Sequence, residues 1–177
     1  MCFTKYGLTL SRMTILSFPS GEVIEDVFIC EPYPGVHILD YNTHFSGVTH
    51  KDLYPTKQQA MNQRPVLKGI VAARERLWEY CDENTVIIGH GLDHDFKCLR
   101  ILHDNVVDTA ILWSPSVGVK ERLKTLAEGE LGLVIQRDTG IDRKKGHDSV
   151  EDCWACSELV KKYLGQMHVE GNGKSRS

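Results

Sequence analysis

The chain lacks any run approaching about 20 consecutive apolar residues, and its N-terminus lacks the basic-then-apolar layout of a secretory leader, so an intracellular protein is expected. It also lacks an excess of positive charge. Lys+Arg number 21 against 24 Asp+Glu, a formal net charge of −3, so no global field draws in a polyanion, and any polyanion must be held by local patches or metal ions. There are no internal repeats, which excludes a solenoid, and the one biased stretch is the tail from Glu170 to Ser177, expected to fray. Cysteine is sparse and irregular: Cys2, Cys30, Cys81, Cys98, Cys153 and Cys156 form no disulfide framework. The Cys153–Cys156 pair has CxxC spacing, but no strand leads into it and no second CxxC exists. It reads as two residues of a helix rather than a zinc knuckle or redox centre.

What is present suits one globular unit. The 177 residues are 41% hydrophobic and 25% charged, enough for a real core. We expect one domain over residues 1–166 and a flexible tail over 167–177. The runs Leu8 to Phe18 and Glu22 to Cys30, separated by Pro19-Ser20-Gly21, predict a β-hairpin. From Pro65 onward Val66, Leu67, Ile70, Val71, Leu77 and Trp78 recur at near-helical spacing, predicting a helix that ends near Cys81. Thr85 to Ile88 reads as a buried strand, Asp93 to Leu102 as a helix, and Val106 to Trp113 as a second buried strand. Helices follow over Glu121 to Glu130 and Ser149 to Leu164. This order is α/β, with an antiparallel hairpin beside parallel strands.

Polar residues gather where these strands end. His90, Asp93, His94 and Asp95 follow the strand ending at Gly89, the end of a parallel sheet where ligands bind. A plainer reading makes Asp93 the cap of the next helix and Asp95 a favourable first-turn charge. His147 and Asp152 flank a second helix start, with Ser149 the expected N-cap. There an imidazole suited to accept a proton lies near a first-turn carboxylate.

Taken together, these segments resemble the DEDDh 3′-5′ exonucleases, and most closely the RNA exonuclease (Rex) branch, from Met1 to about Leu164. The resemblance rests on DYNTHFSGVT (Asp40 to Thr49), GHGLDHDF (Gly89 to Phe96) with VVDT (Val106 to Thr109), and GHDSVED (Gly146 to Asp152), in that order and spacing. It implies an RNase H-like fold, a mixed sheet flanked by helices, and hydrolysis of RNA from its 3′ end to 5′-mononucleotides, with DNA left open as a further substrate. By motif, Asp95 matches the third family acid, Asp152 the fourth and His147 the general base. The implied cofactors are two Mg²⁺ or Mn²⁺ ions, hard cations that take carboxylate oxygens, with Asp95 and Asp152 as metal ligands. Asp108 is architectural. The resemblance suggests single-stranded RNA contacts at Met1, Tyr41, Asn42, His44 and Phe45. Lys145, with Arg143 and Lys144, is placed to guide phosphate. Nuclear residence is the family expectation.

The chain departs from the family at the first two acids, an Asp-x-Glu carried on the first strand. Met1 matches the methionine that follows them, and neither acid is present. We therefore expect that Met1 is an internal methionine of a longer exonuclease and that the first central strand is missing. The hairpin and the strand ending at Gly89 would then face each other with unpaired edges, at about 1 to 3 kcal/mol per buried unpaired group. An inactive or nearly inactive chain is expected. The alternative is a catalytically dead nucleic-acid-binding or regulatory isoform.

Overall fold

The computed structural model describes the chain except residues 62, 115, 117, 137–146 and 174–177 and the side chains of 169–173. The expected hairpin is present but shorter than its apolar runs. The first run divides between two sheets. β1 (Cys2–Thr4) pairs antiparallel with β2 (Gly7–Thr9) and, on its other side, with β5 (Ile38–Asp40). Leu10 and Ser11 then carry the chain across to β3 (Arg12–Leu16), which pairs antiparallel with β4 (Val23–Cys30), Met13 opposite Val27.

Two sequence expectations fail here. Val66 and Leu67 belong to a strand, β6 (Val66–Lys68), parallel to β4 with Phe28 opposite Val66. After three single-turn helices, α1 (Thr43–Ser46), α2 (His50–Leu53) and α3 (Lys57–Ala60), and then β6, the longer helix begins only as α4 (Gly69–Trp78). The switch is made at Gly69, whose φ of +88° is open to glycine and strained for other residues. Val106 to Trp113 is likewise not one strand. β7 (Ile87–Gly89) and β8 (Val106–Asp108) form a parallel pair. The chain then turns into a short helix, α6 (Thr109–Leu112), because the Asp108 carboxylate accepts the Ala110 N–H at 2.9 Å and caps it.

Three further helices complete the layers: α5 (Leu92–Leu99) after β7, then α7 (Leu123–Leu131) and α8 (Ser149–Gly173). One apolar core lies between the hairpin and α4 with α5, built on Met13, Val27, Ile29, Ile70, Ala73, Leu77 and Leu99. A second joins α7 to α8 through Leu126, Ala127, Ala155 and Leu159, with Ile88 packed against it. α8 packs on both β3 and β7. Among the described residues β3 pairs only with β4, and β7 only with β8. No helix among them is long and apolar enough to cross a membrane.

Candidate active site

The first part of the site is the turn from β7 into α5. A Cβ on Gly89 would sit 2.6 Å from the Leu92 side chain, so only glycine lets α5 start this close to the strand. Gly91 is the N-cap, in the left-handed conformation, and offers no capping side chain. Asp108 supplies the missing acceptors. Its two carboxylate oxygens take the N–H groups of Gly91 (2.8 Å) and Leu92 (3.1 Å), so one side chain ties β8 to α5 and caps α6 as well. The cap expected of Asp93 is therefore made from another strand. Asp93 faces outward, 3.6 Å from Lys97 and 3.4 Å from Lys120. His90 turns inward, its Nδ1 3.0 Å from the Thr109 hydroxyl.

With Asp93 outside, Asp95 points the other way along the same turn. Burial pushes its carboxyl up to about 6, a rise opposed by the nearby amino group of Met1. The Met1 side chain lies on α5, its sulfur 3.7 Å from the Cys98 thiol.

The second part is the start of α8. Its N-cap is Asp148 and not Ser149: Asp148 Oδ1 accepts the Val150 N–H at 3.0 Å, and its carbonyl accepts the Asp152 N–H. The same carboxylate is 3.2 Å from Arg12 of β3. Arg12 also forks onto Asp26 at 2.7 and 2.9 Å, and Asp26 pairs with Arg64 as well. The helix end is thus anchored to the hairpin through charge-assisted bonds. The first turn of α8 then presents Asp152, with Oδ1 accepting the Gln136 side-chain N–H at 2.8 Å and Oδ2 3.9 Å from His147 Nδ1. Burial raises the Asp152 carboxyl, against the Gln136 hydrogen bond and the His147 ring.

Both carboxylates act on one group. The Cys153 thiol is driven up to about 12 by burial, then by Asp152 and Asp95, and it donates to the Thr14 carbonyl. Cys156 is raised as well, chiefly by burial. Thiols held protonated by burial are poor nucleophiles, which disfavours the redox reading of the CxxC pair.

The DYNTHF loop reaches the same place from outside. The His147 N–H donates to the Phe45 carbonyl at 3.3 Å, and the Phe45 ring meets the His147 ring edge-on at 6.0 Å and the His44 ring at 4.9 Å. Phe45 remains 57% exposed. Asn42 is left-handed at the start of a single helical turn, Thr43–Ser46. Tyr41 turns away, packed against the cluster of Phe28, Val48 and Leu53 and edge-on to His50. Arg143, Lys144 and Lys145 lie outside the described residues.

Oxygen donors of this kind suit Mg²⁺ or Mn²⁺, and two carboxylates raised by burial suit a cation. Their number falls short, since no group of three or more possible metal donors occurs among the described residues. Sequence reading missed two residues. Gln136 gives no local signal; Arg12 does, as a charge inside an apolar strand.

No family model matches the chain. Curated relatives do. It is 36% identical to exonuclease GOR of Pan troglodytes over 162 residues, 90% of this chain and 21% of that protein. It is 38% identical to RNA exonuclease 3 of Emericella nidulans over 181 residues, 93% of this chain and 28% of that protein. To the human RNA exonuclease 1 homolog it is 36% identical over 90% of its length, and it covers 12% of that protein. Among solved structures, the Neurospora crassa Pan2 catalytic unit (protease and nuclease domain) superimposes with a TM-score of 0.76 at 26% identity, covering 99% of this chain and 28% of that one. The Saccharomyces cerevisiae Pan2 module in complex with AAUUAA RNA does so with a TM-score of 0.73 at 28% identity, covering 90% and 25%. The chain spans well under a third of each of these proteins. Its sheets flanked by helices are the RNase H-like arrangement of the Pan2 exonuclease structures, and over about nine-tenths of its length the chain is similar to RNA exonucleases.

Proposed function

We propose that this chain is the exonuclease part of an enzyme that removes nucleotides from the 3′ end of single-stranded RNA and releases 5′-mononucleotides. Two placements support the reading: Asp95 and Asp152 lie about the Cys153 thiol, and His147 lies beside Asp152. Two half-buried carboxylates act on one thiol, and the imidazole stands 3.9 Å from the second of them. RNA as substrate is supported by the names of the relatives and by the Pan2 structures that hold RNA oligomers.

In this mechanism Asp95 and Asp152 are the protein ligands for Mg²⁺ or Mn²⁺, which when bound would supply charge neutralisation at the scissile phosphate. His147 takes the proton of the attacking water. Asp152 stands beside the imidazole, Oδ2 3.9 Å from Nδ1. Gln136 occupies one Asp152 oxygen and leaves the other facing His147. Phe45, stacked edge-on to His147 and largely exposed, offers a face for the terminal base. Lys145 is proposed to guide phosphate, and nuclear residence is proposed from the family.

Residues 1–177 supply two of the four family carboxylates, so we further propose that this form holds divalent ions weakly and turns over little RNA. The lack of a three-donor group among the described residues favours, as a second reading, an RNA-binding form without catalysis. A 5′-labelled RNA incubated with Mn²⁺ separates the two. A chain lengthened upstream by a strand carrying Asp-x-Glu is expected to shorten the RNA stepwise, and Asp152→Asn to abolish this. No cleavage by the lengthened chain, with binding retained, would establish the second reading instead.

A further inference from the structure

At the C-terminal end of α5, a cleft of about 270 Å³ is lined by Thr4, Tyr6, Leu8, Tyr33 and Arg100. Its walls are aromatic and cationic. The Arg100 guanidinium lies over the Tyr33 ring at 4.7 Å, and the Lys5 ammonium over the Tyr6 ring at 4.9 Å. Neither cation is in an ion pair with a carboxylate among the described residues, although the chain as a whole carries more acid than base. Tyr6 is 69% exposed. Burial therefore does not account for it, and its hydroxyl end is free to meet solvent or ligand. Flat rings interleaved with unneutralised cations match a ligand that is itself flat and anionic, which is the chemistry of a nucleotide. The volume lies just under the roughly 300 Å³ of the smallest drug-sized pockets, enough for one base.

The cleft is tied to the catalytic helix. Leu8 is held to α5 by the Cys98 thiol, 3.6 Å from the Leu8 carbonyl. Arg100 follows α5 directly, in the left-handed conformation. Asp95 lies five residues earlier, about 7 Å along the helix axis. Asp95 and the cleft thus lie on one short helix and its C-cap.

We propose that the Tyr6–Tyr33–Arg100 cleft is a second nucleotide subsite, which stacks a base upstream of the RNA 3′ end and pairs its phosphate with Arg100 and Lys5. The proposal rests on the RNA reading above. Fluorescence anisotropy in EDTA, so that no cleavage intervenes, tests it with 5′-fluorescein octaadenylate and diadenylate on the full 177-residue chain. Tyr6→Ala and Arg100→Gln should each weaken octaadenylate binding about ten-fold and leave diadenylate binding within two-fold, and Tyr6→Phe should bind as the wild type does. Circular dichroism melts of the same variants should match the wild type, because both residues are exposed. Octaadenylate binding unchanged in both variants, or both oligomers weakened equally, would overturn the subsite while leaving the RNA reading intact. Failure of the wild type to bind either oligomer would overturn the RNA reading and the subsite with it.

Discussion

Asp95 is held in surroundings that oppose its charge. Its carboxyl titrates near 6 instead of 3.8 because burial strips its water, so the folded protein binds this proton more tightly than the unfolded chain does. Stability from this group is therefore present at low pH and lost as pH rises from about 4 through about 6. At neutral pH the ionised form costs up to about 3 kcal/mol, at about 1.4 kcal/mol per pH unit. A protein that keeps such a group gives up stability for chemistry. Asp95→Asn should accordingly melt higher than the metal-free wild type at pH 7.5, with the difference narrowing toward pH 4.5. A difference independent of pH would contradict the assignment.

At the scale of elements, the hub is Arg12. Its side chain and that of Asp26 are 10% and 12% exposed, and the pair bridges β3, β4 and the first residues of α8. Burial alone would raise the Asp26 carboxyl, but the hydrogen bonds and charges of Arg12 and Arg64 together hold it below its ordinary range. Its contribution to stability is thus complete above about pH 4 and lost as pH falls through the lowered value. Removing one partner of a buried pair typically costs 3 to 5 kcal/mol, because the other charge is stranded. Arg12→Ala should therefore lower unfolding free energy in urea by about 3 kcal/mol, and Asp148→Ala, which loses mainly a helix cap, by about 1 kcal/mol. Equal effects would mean that Arg12 does not hold the helix end.

The same elements mark how far local sequence could be read. The hairpin, the β7–α5 unit and α8 were legible because their apolar periods and turn residues act within a few positions of each other. Val66–Lys68 was not, since its strand character comes from pairing with Phe28 to Cys30, about 38 residues earlier. Capping by Asp108 was missed for the same reason: its partners Gly91 and Leu92 lie 17 and 16 residues away. Within the candidate site, Asp95, His147 and Asp152 are proposed from motif letters, whereas the Gln136 contact with Asp152 depends on chain packing alone.

At the scale of the molecule, the described residues form three short sheets joined by shared helices. Val86 to Ile88 is continuously apolar, the pattern of a strand buried on both faces. Yet Val86 is 56% exposed, and Ile87 and Ile88 are only half-buried. The physical reason is that β7 is paired along one edge among the described residues, and β3 likewise. β4, paired on both sides, should be the most protected element. Native-state hydrogen exchange is expected to be slowest at Val27 to Ile29 and faster at Thr14 and Ile87. Uniform protection across β3, β4 and β7 would mean that those edges are covered.

The most direct measurement is a Mn²⁺ titration followed by electron paramagnetic resonance, on the wild type, Asp95→Asn and Asp152→Asn. If these two carboxylates face one ion, the wild type takes up Mn²⁺ weakly, and either substitution alone abolishes the uptake. A wild type that takes up none, or variants that each bind as it does, would contradict a shared site.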